Sequence, residues 1–225
     1  MTQETGVPNP AVVRRVTIDI DRALQGRAVA TVPLADPGAW AVLSFASTAF
    51  MLGLYNAGVV NPLGVTLVIP MAFFFAGAVQ FIVAVLEVFR GNVFGAVVFG
   101  SYGPLWVIYG LIQNSYVGKV AAAAGKTGAA GAVSSGLTVF LVMFAVLTFI
   151  FLIASLRTDV VLVAILLLLL VSLIVLAIGV HNDTTGLVHA AGWITLVLAA
   201  LGWYHGAADV IGFTFGRTLL PVGPL

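Results

Sequence analysis

Side chains able to do chemistry are few in this sequence, and most of them are neutral. Asn56, Gln80, Ser101, Tyr102, Trp106, Asn114, Thr138 and Trp193 lie inside long apolar stretches, whereas Glu87, His181, His189, His205 and Asp209 lie near the ends of those stretches. Amide, hydroxyl and indole groups exchange hydrogen bonds without carrying a charge. They suit weak contact with a small polar solute that must also leave again. The sets needed for catalysis are missing. There is no cysteine, and no two histidines stand three or four residues apart, the spacing that a helix-borne metal site uses. Gly125-Lys126-Thr127 lacks the upstream glycine of a phosphate-binding loop, because Val120 holds that place. Gly100-Ser101-Tyr102-Gly103 misses the nucleophile elbow, since Phe99 stands where glycine is needed. No enzyme, metal site or cofactor is expected.

The elements that position these groups follow from charge. The 225 residues are 61% hydrophobic and 8% charged, with a mean hydropathy of +1.17. Soluble domains carry roughly a quarter charged residues, so a polar skin is lacking and a multi-pass membrane protein is expected. A net charge of +1 without a basic stripe excludes nucleic acid as a partner. Charge-free windows give six spans, at about 38–57, 65–87, 94–117, 133–156, 160–182 and 184–208, each near the ~20 apolar residues that cross a bilayer. Asn61-Pro62-Leu63-Gly64 reads as the turn between the first two. Ala164–Ile178 is apolar at nearly every position, which excludes the alternation of a barrel strand. The fold class is therefore an all-α integral membrane protein of six transmembrane helices.

Arg14, Arg15, Arg22, Arg27, Arg90, Arg157 and Arg217 share one side of this topology, and only Lys119 and Lys126 lie on the other. Both termini are thus expected in the cytoplasm. Residues 1–35 read as a polar tail, not a signal peptide, with Val16–Ile20 open to strand or interfacial helix. Residues 36–215 form the transmembrane domain and 216–225 a short C-terminal tail. The low-complexity stretch 121–128 reads as a flexible connector. Gly91-x-x-x-Gly95 and Gly212-x-x-x-Gly216 match a close-packing pattern, as do Ala76, Gly77, Gly110 and Gly192 as small residues. Thr138 and Ser172 are expected to bond carbonyls of their own helices. Asp36, before Pro37, reads either as a helix cap or as a charged group at an entrance.

Several motifs, in order along residues 36–223, resemble the acetate uptake transporter family of bacterial succinate–acetate permeases and their fungal relatives. They are Leu54-Tyr55-Asn56-Ala57-Gly58, Gln80 with Leu86-Glu87, Gly91-Asn92-x-Phe94-Gly95, Ser101-Tyr102-Gly103 with Trp106, His189-x-x-Gly192-Trp193, and Phe215-Gly216-Arg217-Thr218-Leu219-Leu220-Pro221. The resemblance implies six-helix protomers in a homo-hexamer in the cell membrane, each with its own path for acetate and other small carboxylates such as succinate. It implies a constriction at Phe45, Tyr102 and Leu169, and a substrate path along Asn56, Gln80, Ser101, Tyr102 and Trp106. Under that reading passage is proton-linked or channel-like, with Glu87 and His189 as candidates for proton coupling. Glu87 also reads as a helix-end partner of Arg90. The family's Asn-Pro-Ala-Pro-Leu-Gly-Leu signature is replaced here by Asp36-Pro37-Gly38-Ala39-Trp40-Ala41-Val42. The Asp36 carboxylate only accepts, where the family's Asn also donates. A channel for small neutral solutes, such as urea or short amides, is the alternative.

Overall fold

Asn61 opens the second of six apolar helices by accepting from the Leu63 amide at 3.0 Å, with Pro62 in the first helical position. The segment expected as a turn is therefore a helix start, because Pro lacks only a donor that the first turn would leave unpaired. The computed structural model describes residues 34–225. The polar tail expected at 1–35, with its Val16–Ile20 stretch, lies outside the described residues except for its last two. Among the described residues, six helices are long and apolar enough to cross a membrane. They are α1 (Gly38–Asn56), α2 (Pro62–Arg90), α3 (Val93–Ala124), α4 (Gly131–Ser155), α5 (Val160–His181) and α6 (Thr185–Phe215).

Polar residues set the ends. Asp159 caps α5 by accepting from Leu162 N at 2.8 Å, and Asn92 caps α3 by accepting from Gly95 N at 3.1 Å. The α2 helix stops at Gly91, whose φ of +73° favours glycine. It also carries a widened π-type segment, Met71–Ala78, directly after Pro70. Proline removes a backbone donor there, and such widened turns recur at functional positions.

Two expectations about connections and packing are corrected. The stretch 121–128 has helical backbone and is not a structureless connector. The chain reverses between Val120 and Val133, because Tyr116 and Val120 line the same cavity as Val133 and Leu137. Of the two Gly-x-x-x-Gly pairs, only Gly95 stands at a close contact between helices, where a Cβ would lie 3.1 Å from Glu87 Cγ on α2. Gly91 and Gly216 adopt left-handed backbone at helix ends with nothing within 4 Å of an added Cβ. Close approach occurs elsewhere, as at Gly103, where a Cβ would lie 2.9 Å from Phe81 N and 3.0 Å from Gly77 O. At Gly192 it would collide with the Asn56–Ala57 backbone. Small residues permit such contact where no hydrophobic driving force exists between helices in lipid. Accordingly α1 packs on α6, α6 on α5, α5 on α4, and α2 on α3.

The C-terminal tail is docked. Val160 N and Val161 N, free donors at the start of α5, bond to Gly223 O at 2.8 Å and Val222 O at 3.2 Å. These are donors that a helix leaves unpaired.

Candidate functional site

Gln80 on α2 is 1% exposed, and neither its amide oxygen nor its nitrogen has a hydrogen-bond partner. An unpaired buried amide costs about 1–3 kcal/mol, so its position calls for an account. It borders a cavity of about 40 Å³ together with Phe45 of α1, Tyr102 of α3, and Leu162, Leu166 and Leu169 of α5. That volume holds one or two waters. The three constriction residues expected from the sequence thus meet at one point in the bundle, with Phe45 and Tyr102 ring centroids 5.7 Å apart. Trp106 stands edge-on to Phe45 at 6.0 Å, and its indole nitrogen is also buried and unpaired.

The Tyr102 hydroxyl has a defined role. Thr148 Oγ1 on α4 donates to the Phe144 carbonyl at 2.7 Å and lies 2.8 Å from Tyr102 Oη. A threonine hydroxyl has one proton, already given to the carbonyl, so Tyr102 is the donor in their shared bond. Toward the cavity the tyrosine oxygen can then only accept. Sequence reading missed Thr148, because nothing local links it to a residue 46 positions away.

The other expected path residues divide between places. Asn56 lines a wide cavity of about 530 Å³ at the far end of the bundle, with Tyr55, Ser134, Asp183 and His189. His189 is exposed there, its Nε2 packed beside Gly58. Asn56 is therefore not grouped with Gln80 and Tyr102. Ser101 is half-buried on α3 and borders neither cavity. Trp193 and Asn114 face outward and do not line the interior. Thr138 bonds its own helix at Ser134 O, as expected, at 2.8 Å. Ser172 instead reaches from α5 to α6, bonding Thr195 at 2.7 Å and Ala191 O at 3.2 Å.

The opposite end is ionic. Arg90 joins Asp36 at 2.8 Å and Glu87 at 2.7 Å. Asp36 also accepts from Gly38 N at 2.8 Å, so capping and pairing both use its carboxylate. Glu87 is 1% exposed and bound to Arg90, at the end of the bundle away from His189. A second cluster joins helices through His205, whose Nε2 lies 3.0 Å from Asp159 and whose Nδ1 lies 3.6 Å from Asp209. The His205–Asp209 spacing of four was visible in the sequence; the partner on α5 was not. Among the described residues no group of three His, Asp or Glu is placed to hold a metal.

Comparison with known proteins agrees with this architecture. The GPR1/FUN34/yaaH family matches residues 23–222. The succinate-acetate/proton symporter SatP of Escherichia coli K12 is 32% identical over 190 residues, 84% of this chain and 96% of its own. Acetate permease A of Emericella nidulans is 26% identical over 195 residues, 84% of this chain and 65% of its own. A solved structure of the bacterial acetate channel SatP superimposes with a TM-score of 0.74 at 31% identity, covering 84% of this chain and 99% of that one.

Proposed function

Because this chain belongs to the GPR1/FUN34/yaaH family, a membrane transporter family and not an enzyme family, we propose that it passes acetate and other short carboxylic acids, including succinate, through the centre of each protomer. The observation that carries the reading is Gln80, buried with both amide atoms unpaired beside the Phe45–Tyr102–Leu169 cavity. A protonated carboxyl group offers one donor and one acceptor, which a primary amide matches with one acceptor and one donor. The Tyr102 oxygen adds a second acceptor for the acid proton. No cation faces the cavity, whose lining is otherwise apolar, so the neutral acid costs far less to desolvate than its anion. Trp106 backs Phe45, while the wide cavity at Asn56 collects solute. Asp36 belongs to the ionic end, where its pairing with Arg90 makes it a rim residue.

The proposal includes a homo-hexamer in the cell membrane with one path per protomer. Cytoplasmic termini are supported by Arg90, Arg157 and Arg217 at the Asp36 end against Lys119 at the other. Uptake of labelled acetate into proteoliposomes tests the function. Protein-dependent uptake above empty vesicles, competed by unlabelled succinate, is the expected result; its absence overturns the reading.

A second reading has the same observation in its favour. The Gln80 amide and the Tyr102 acceptor also match urea or a short amide. Urea flux that acetate does not inhibit would favour that neutral-solute channel over carboxylate transport.

A further inference from the structure

A neutral acid that crosses the central cavity gives up its proton on reaching water, and His205 is a buried acid–base group on α6 that packs against the head of α5. It is 9% exposed, its Nε2 contacts Asp159 Oδ2 at 3.0 Å, and its Nδ1 faces Asp209 at 3.6 Å. That Nδ1 is buried without a hydrogen-bond partner. Asp159 stands at the head of α5, the helix that supplies Leu162, Leu166 and Leu169 to the cavity. Steps of three and four residues place all four on one helix face.

The pair is held from outside by the C-terminal segment. Val160 N bonds Gly223 O at 2.8 Å and Leu225 N bonds Thr158 O at 3.0 Å, flanking Asp159 on both sides. Tyr204, next to His205, donates to Pro221 O at 2.8 Å. The groups facing the imidazole are Asp159 from α5 and Asp209 from its own helix, with Asp36 of the chain before α1 acting on Asp209. Arg90 of α2 is already bound to Asp36 and Glu87. Carboxylates therefore surround the ring, and an imidazolium formed there is balanced by neighbours already in place.

We propose that Asp159, His205 and Asp209 form the proton-accepting group of transport. The acid O–H bond breaks as it leaves the cavity, an N–H bond forms at His205 Nδ1, and the products are a carboxylate and an imidazolium. The imidazolium then releases its proton to water, which restores the neutral ring. Glu87, already bound to Arg90, and His189, at the opposite end, take no part in this step.

The inference rests on the carboxylate reading above, and the test separates the two. Initial acetate uptake by the full chain in liposomes, with no acetate inside, is measured at fixed external pH while the internal pH varies. Wild-type uptake falls as the internal solution is acidified, because the accepted proton must be released to that side. His205→Gln lowers uptake roughly tenfold or more, as loss of a positioned proton acceptor does, and flattens the profile. Asp159→Asn and Asp209→Asn lower uptake as well, because the ring loses the carboxylates that hold it. No wild-type uptake overturns both readings; wild-type uptake with variants that keep its rate and profile overturns this one alone. Where a variant fails to fold, wild type labelled with 15N-histidine decides. Added acetate should move the ring-nitrogen signals of His205 toward those of the imidazolium; an unchanged spectrum overturns the inference.

Discussion

Tyr102 Oη and Thr148 Oγ1 lie 2.8 Å apart across the interface of α3 and α4, with the tyrosine as donor. This bond turns the tyrosine oxygen into an acceptor beside the cavity that Phe45, Gln80 and Leu169 line. Anions need donors, and protonated acids need acceptors. The pairing therefore tilts the path toward the protonated form.

Thr148→Val should release the Tyr102 proton toward the cavity. The lost bond costs about 0.5–1.5 kcal/mol of stability, read as a lower unfolding temperature. Uptake should become less dependent on external pH, because the freed hydroxyl can now donate to a carboxylate. Rates at several external pH values check this.

Gln80→Leu keeps the volume and removes a buried amide that no other side chain or backbone group pairs. Stability should rise by about 1–3 kcal/mol. Uptake should fall about tenfold, the equivalent of one hydrogen bond worth about 1.4 kcal/mol. Thermal unfolding and labelled acetate uptake on the same preparation separate the two effects.

Arg90→Met should be far more damaging than Asp36→Asn. The first leaves Glu87, 1% exposed, without its partner, at a cost of about 3–5 kcal/mol. The second breaks a bond whose carboxylate is 69% exposed, worth about 0–1 kcal/mol. Adding Glu87→Gln to Arg90→Met should recover most of the loss. Unfolding temperatures of the four proteins complete the comparison.

Two glycines on different helices should respond oppositely to alanine. Gly192→Ala drives a methyl group into the Asn56–Ala57 backbone and should cost about 1–3 kcal/mol. Gly136→Ala on α4 meets nothing within 4 Å, and helix propensity favours it by about 1 kcal/mol. Detergent-solubilised unfolding temperatures, lower for the first and equal or higher for the second, check the pair.

Charge placement was enough to count the helices, because one charged side chain at mid-bilayer outweighs several apolar ones. Span limits were legible to within a few residues except at the ends of α3 and α6, which run on to Ala124 and Phe215 where 117 and 208 were expected. The meeting of Phe45, Tyr102 and Leu169 was legible only through motif resemblance. Composition could not have paired residues on three separate helices.

Polar partnerships escaped the linear reading. Ser172 bonds α6 and not its own helix, and Gly91 and Gly216 end helices where close packing was expected. A hydroxyl or a glycine has the same local signature in either role. Six apolar helices, few charges and neutral interior groups are properties of the chain in order, since hydropathy acts residue by residue. Whether Gln80 is left unpaired, whether Tyr102 donates or accepts, and whether His205 meets Asp159 depend on helix rotation and register. Those are set by side-chain packing between distant segments, which local sequence does not encode.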